Sequence, residues 1–176
     1  MILVSVIATT STVVTMLARA RETSEIDSLT MVPNRRGIDR ILDETLAAAS
    51  AGRESLIVAM VDVDHFKSIN DQQGHAAGDR VLEELTRAWR TVLPCDFVGR
   101  MGGDEFLVVL PDCSRSDAHA VLERLRTAAP TDVTCSLGAA SWQPGHSASM
   151  LVSNADAALY QAKHLGRNRI AWAVAA

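Results

Sequence analysis

The residues best placed to do chemistry are acids at the ends of apolar runs. Asp62 and Asp64 close the stretch Ser55 to Val63, SLIVAMVDV, while Asp104 and Glu105 follow Gly102-Gly103 and lead into a second apolar run, Phe106 to Leu110. Carboxylates gathered at strand ends repel one another and call for a cation. Mg2+, or Mn2+, suits such a set because it takes oxygen ligands in octahedral geometry, keeps waters and shares its shell with substrate phosphates. A metal site serving phosphate chemistry is one reading; acids that merely point from strand ends into water are the other.

The elements that must position these acids can be read from periodicity. Asn34 to Ala51 carries Ile38, Ile41, Leu42 and Leu46 at helical spacing and ends at Ala51-Gly52. Ser55 to Val63 reads as a central strand buried on both faces. Its alternation places Asp62 and Asp64 on one side, around the backbone carbonyl of Val63. Phe66 to Asn70 reads as a short helical turn, and Gly74, His75 and Gly78 mark a loop before a long helix bearing Val81, Leu85, Ala88, Trp89 and Val92, closed by Pro94. Phe97 to Leu110 reads as two strands joined through a Gly102-Gly103 turn, a hairpin that presents Asp104 and Glu105 at its tip.

Downstream, Pro111 to Asp117 is a loop, Asp117 to Ala128 a helix, Val133 to Trp142 a strand, Ala148 to Leu165 a helix ended by Gly166, and Arg169 to Val174 a closing strand. The β-α-α-β-β-α-β order from Ser55 predicts an α/β (α+β) fold: a palm-like or ferredoxin-like mixed central sheet flanked by helices, not an all-parallel one. No internal repeat or low-complexity segment interrupts it.

Composition narrows the function classes. With 48% hydrophobic, 22% charged and 4% aromatic residues in 176, the chain describes one ordinary globular domain with a short extension. A net charge of -4 gives no global positive field for nucleic acid. Cys95, Cys113 and Cys135 are odd in number and lack zinc spacing, which predicts reduced thiols in a cytoplasm. Residues 1–18 are uncharged and apolar but diluted by Ser and Thr, and Arg19 and Arg21 follow them. That charge placement is unlike a secretory signal and favours a cytoplasmic C-terminal side if the segment inserts. Two readings stand: a membrane attachment, with an upstream sensor domain in a longer receptor, or a buried or dimerising helix.

Beyond spacing, the run Arg100-Met101-Gly102-Gly103-Asp104-Glu105-Phe106 resembles the signature of the GGDEF diguanylate cyclase family. The likeness extends to Asp62-Val63-Asp64-His65-Phe66-Lys67-Ser68-Ile69-Asn70-Asp71, to Gly74-His75 and Gly78-Asp79, and to Ala157-Leu159-Tyr160-Ala162-Lys163 with Gly166-Arg167-Asn168. Asp27-Ser28-Leu29-Thr30 and Asn34-Arg35-Arg36 resemble the family's opening motif. The resemblance implies a stalk over residues 1–25 and a cyclase domain over 26–176, cytoplasmic and tethered to the inner face of the membrane if the first segment inserts. It implies condensation of two GTP molecules into cyclic di-GMP by a homodimer, with a catalytically silent GTP-binding signalling module as the alternative.

Residue by residue, the resemblance assigns the metal to Asp62, the Val63 carbonyl, Asp104 and Glu105. Asp104, Glu105 and Lys67 are the catalytic set, and Asp104 stands where the family places its base. Asn70 and Asp79 match the guanine-reading positions, where a carboxylate accepts from N1-H and the exocyclic amine. As plain sequence the same pair are a helix C-terminal Asn and a helix N-terminal Asp. Lys67, Lys163 and Arg167 resemble the triphosphate grip, and Gly102 and Gly103 let backbone approach the nucleotide. By spacing alone Lys163 and Arg167 are an i, i+4 pair in a last helical turn. His65 and His75 are read as structural.

Two departures from the pattern matter. Met31-Val32 stands where the family carries Gly-Leu, which predicts an altered local turn. Leu93-Pro94-Cys95-Asp96 stands at the RxxD product-inhibition motif without its Arg, which predicts weak feedback.

Overall fold

Strand β1 (Leu56–Val63) is buried along its whole length, as its unbroken apolar run requires. In this computed structural model residues 24–52, 55–94 and 97–174 are described. Around β1 the elements follow in chain order: α1 (Arg35–Ser50) before it, then α2 (Phe66–Gln73), α3 (His75–Trp89), β2 (Val98–Gly102), β3 (Glu105–Pro111), α4 (Arg115–Thr127), β4 (Cys135–Ser141), α5 (Ala148–His164) and β5 (Ile170–Trp172).

The five strands form one sheet in the order β2-β3-β1-β4-β5. β1 pairs antiparallel with both β3 and β4, β2 pairs antiparallel with β3, and β4 with β5 is parallel. That is the mixed, ferredoxin-like sheet expected from the element order.

Alternation along β1 splits the core into two layers. Ile57, Ala59, Val61 and Val63 face Leu82, Leu85 and Trp89 of α3 and Leu122 and Leu125 of α4. Trp89 packs edge-on to Phe106 with centroids 5.1 Å apart, and its indole N–H donates to the Leu125 carbonyl at 2.9 Å. Val58 and Met60 face Ile38 and Leu42 of α1 and Leu151, Ala155 and Leu159 of α5. Asp62 and Asp64 continue this second face toward the strand's C-terminal end.

Helix α5 lies unusually close to the sheet. A Cβ on Gly138 of β4 would collide with the α5 backbone at Ala155 and Leu159, so glycine there fixes the helix height. The small residues Ala155, Ala158 and Ala162 line the buried face of the same helix.

Several boundaries differ from those expected. α2 continues to Gln73 and α3 starts at His75, so Gly78 is helical, not part of a loop. The reason is packing: a Cβ at Gly78 would meet the Asn70 amide oxygen and the Phe66 ring, so glycine here seats one helix against the other. α4 begins at Arg115, two residues early, because Ser114 caps it through the Asp117 N–H. In the hairpin, Gly102 is still a strand residue paired with Glu105 after a register shift, so the turn proper is Gly103-Asp104. Gly103 takes φ +55, a left-handed value that glycine adopts at little cost. Residues 1–18, the stalk over 1–25 except for Ser24 and Glu25, Cys95 and Asp96 lie outside the described residues. Among the described residues no helix is long and apolar enough to cross a membrane.

Candidate active site

The site is built where β1 ends beside the β2-β3 hairpin. Antiparallel register sets Asp62 directly opposite Glu105, and the Val63 N–H donates to the Asp104 carbonyl at 3.3 Å. α5, held down by Gly138, brings Lys163 to the same place, where its Nζ lies 2.7 Å from Asp62 Oδ2. Asp62, Val63, Asp104, Glu105 and Lys163 are therefore together, although they come from three separate parts of the chain.

Electrostatics agree with this clustering. Burial is the main cause that pushes the Asp62 carboxyl above its ordinary value, the nearby charges of Asp104 and Glu105 add to it, and the Lys163 ammonium opposes both. Among the described residues no three acidic, His or Cys side chains close on one point by themselves.

Asp64 departs from the expected oxygen cluster. It does share a face with Asp62, but its carboxylate accepts from Ser136 Oγ at 2.7 Å, Thr134 Oγ1 at 2.7 Å and the Asn168 N–H at 3.1 Å. Those donors fix it as a strut between β1, β4 and the turn after α5.

Asn70 lies on α2 and Asp79 on α3, the two helices that meet at Gly78. The Asn70 amide lies against Gly78, and Asp79 follows on the exposed side of α3. Lys67 projects from the first turn of α2 and is exposed. Arg167 is exposed in the turn after α5, with its backbone at φ +61. His65 also takes a left-handed value, φ +59, where it starts α2. His75 is the first residue of α3.

Sequence reading gave Arg100 no role. Its Nε and Nη2 donate to the Gly103 carbonyl at 2.9 and 2.8 Å, while Nη1 reaches Asp27 Oδ1 at 3.1 Å. The guanidinium thus ties the hairpin turn to the segment before α1. Asp27 also accepts from the Thr30 N–H at 2.9 Å and Thr30 Oγ1 at 2.7 Å. Burial pushes the Asp27 carboxyl up, but the Thr30 hydrogen bonds and Arg100 together hold it below its ordinary value. The signal was present as Asp27 three residues before Thr30, a pattern that closes a turn on itself. An open cleft beside this tie is lined by Asn34, Arg35, Arg36, Arg100, Gly102 and Gly103.

Cys113 and Cys135 are free thiols. Burial pushes the Cys135 thiol strongly upward, with the charges of Asp64 and Asp62 adding to the effect, so it stays protonated and packs as an apolar residue.

Comparison with known proteins places this geometry. The family described as "Diguanylate cyclase, GGDEF domain" matches residues 24–169. Diguanylate cyclase DgcP of Pseudomonas aeruginosa is 37% identical over 161 residues, covering 85% of this chain and 24% of DgcP. Diguanylate cyclase DosC of Escherichia coli is 36% identical over 179 residues, covering 92% of this chain and 39% of DosC. The chain thus spans well under half the length of these two curated relatives. The crystal structure of the coiled coil and GGDEF domain of DgcB from Caulobacter crescentus, in complex with c-di-GMP, superposes with a TM-score of 0.81 at 31% identity and covers 97% of both chains.

Proposed function

We propose, from the premise that the chain belongs to the diguanylate cyclase GGDEF-domain family, that it condenses two GTP molecules into cyclic di-GMP and releases two pyrophosphates. The observation that carries this is the register that sets Asp62 opposite Glu105 and Val63 against Asp104 at the end of β1, with Lys163 paired to Asp62. Acids and an ammonium so arranged can bind a triphosphate together with its metal, and no acid, guanine-reading or phosphate position of the family pattern is missing.

Asp62, the Val63 carbonyl and Asp104 would hold Mg2+ or Mn2+, with Glu105 in support. A bound ion of this kind neutralises the triphosphate, polarises the α-phosphorus and eases deprotonation of the attacking 3′-hydroxyl. The chain's own residues do the rest. Asp79 accepts from guanine N1-H and its exocyclic amine while Asn70 donates to O6 or N7, which leaves adenine without its partners. Lys67, Lys163 and Arg167 offer charge-assisted hydrogen bonds to phosphate oxygens. Gly102 and Gly103, both exposed, leave room for ribose and phosphate above the turn. The 3′-oxygen of one GTP attacks the α-phosphorus of the other, the bond to the β-phosphate oxygen breaks, and the 3′-proton passes toward Asp104. A carboxylate that would also hold the metal is a weak base, so orientation and charge carry most of the step.

Each chain holds one GTP, so a homodimer with facing sites is needed for cyclisation. The proposal extends to the boundary at residues 25 and 26, to the preceding stalk as the element that dimerises or tethers the domain to the inner membrane face, and to an upstream sensor. It also includes weak feedback: Leu93, in place of the motif's Arg, packs against the core.

Asp104→Asn tests the reading. The variant is expected to keep the wild-type melting profile and to lose cyclic di-GMP formation from GTP by a factor of a hundred or more, in the range seen when a key charge-stabilising group is removed. Undiminished turnover would end the mechanism.

A further inference from the structure

The carboxylate of Asp64 is one of few buried charges in the fold, at 4% exposure, and the mechanism above does not use it. It joins three elements: Ser136 of β4, Thr134 just before β4, and the backbone N–H of Asn168 in the turn after α5. That turn is built from two consecutive non-glycine residues in left-handed conformation, Arg167 at φ +61 and Asn168 at φ +47. L-residues disfavour this region, so the turn needs an external hold. A second hold comes from α4, where Arg126 Nη1 donates to Asn168 Oδ1 at 2.6 Å while the same guanidinium is paired with Glu123. The Arg167 N–H closes back on the Ala162 carbonyl at 3.0 Å. The Arg167-Asn168 turn is thus held from three sides, while the Arg167 guanidinium has no partner among the described residues.

We propose that Asp64 is a positioning residue: by gripping the Asn168 N–H it sets the left-handed turn that aims Arg167 at the triphosphate, and it is not a further metal ligand. This rests on the reading of Arg167 as part of the triphosphate grip. A fixed backbone with an unengaged cation is the form a phosphate-binding side chain needs, because less freedom is lost when the ligand arrives.

The test uses a GTP analogue with a methylene group in place of the α,β-bridging oxygen, titrated with Mg2+ by calorimetry. In Asp64→Asn, the amide oxygen can take the Thr134 and Asn168 donors while its NH2 donates to the Ser136 hydroxyl. This variant is expected to keep analogue affinity within threefold and Mn2+ affinity, read by electron paramagnetic resonance, unchanged. Asp64→Ala is expected to bind the analogue about tenfold more weakly, and that loss should shrink to under twofold in an Arg167→Ala background, as a double-mutant cycle requires if one residue acts through the other. Losses that multiply in the double variant, or a tenfold fall in Mn2+ affinity in Asp64→Asn, would overturn the assignment. If Asp64→Ala does not fold, the Asp64→Asn measurements decide alone. If the wild-type chain binds no analogue, the proposed function fails, and the clamp is judged on hydrogen exchange of the Asn168 amide: about tenfold faster in Asp64→Ala supports it, and an unchanged rate refutes it.

Discussion

The Lys163 ammonium sits 2.7 Å from Asp62 Oδ2, so the residue expected to grip phosphate is also the counter-cation of the residue expected to hold the metal. Burial raises the Asp62 carboxyl above its ordinary value, Asp104 and Glu105 raise it further, and Lys163 counters them. A group raised on folding contributes stability that is present below the ordinary carboxylate range and lost as pH rises through the raised value. Lys163→Met should therefore cost stability at neutral pH, by about 1 kcal/mol because the lysine is partly solvated. Urea midpoints in EDTA check this, and the cost should shrink as pH falls and Asp62 takes up its proton.

Asp27 behaves in the opposite sense. Despite its burial, the Thr30 donors and Arg100 hold its carboxyl below the ordinary carboxylate value. Its contribution is present above that value and is lost as pH falls through the lowered one. Asp27→Asn is expected to destabilise by about 2 kcal/mol at neutral pH, the scale of hydrogen bonds to a charged group. Denaturation midpoints compared at pH 7 and pH 3 should show the difference narrowing at the lower pH.

The main elements were legible in the sequence because their signals are local. The run ending at Asp62 could be read as a central strand from its apolar continuity, and the acids at the hairpin tip from two glycines between apolar segments. What was not legible depends on contacts distant in sequence. Asp64 looks like Asp62 by alternation, and only the approach of Thr134, Ser136 and Asn168, some 70 to 104 residues away, shows it is a strut. The Gly103-Asp104 turn was misplaced by one residue because a register shift between Arg100 and Gly102 leaves no mark in residue type. Gly78 looked like a loop residue since nothing in one sequence says that Asn70 must pack on it.

Met31, at the departure from the family's opening motif, is a non-glycine residue in left-handed conformation. It takes φ +57, a value glycine adopts more readily than methionine, and the residue is 60% exposed. Arg90 braces the turn: the Thr30 and Met31 carbonyls accept from its Nη2 at 2.9 and 3.1 Å. Met31→Gly should relieve the strain with no loss of core contacts and raise stability by about 0.5–1 kcal/mol, net of the added freedom of the unfolded chain. A thermal melt of the variant checks the sign.

The central claim is that two copies of this site, each loaded with GTP, face one another and react. Its most direct test is to incubate the purified chain with GTP and Mg2+ across a range of protein concentrations and separate the products by chromatography. Cyclic di-GMP is the expected product, with a rate that rises more steeply than protein concentration below the dimer dissociation constant. GTP that is bound yet remains intact at every concentration would contradict it and leave a nucleotide-binding signalling module in its place.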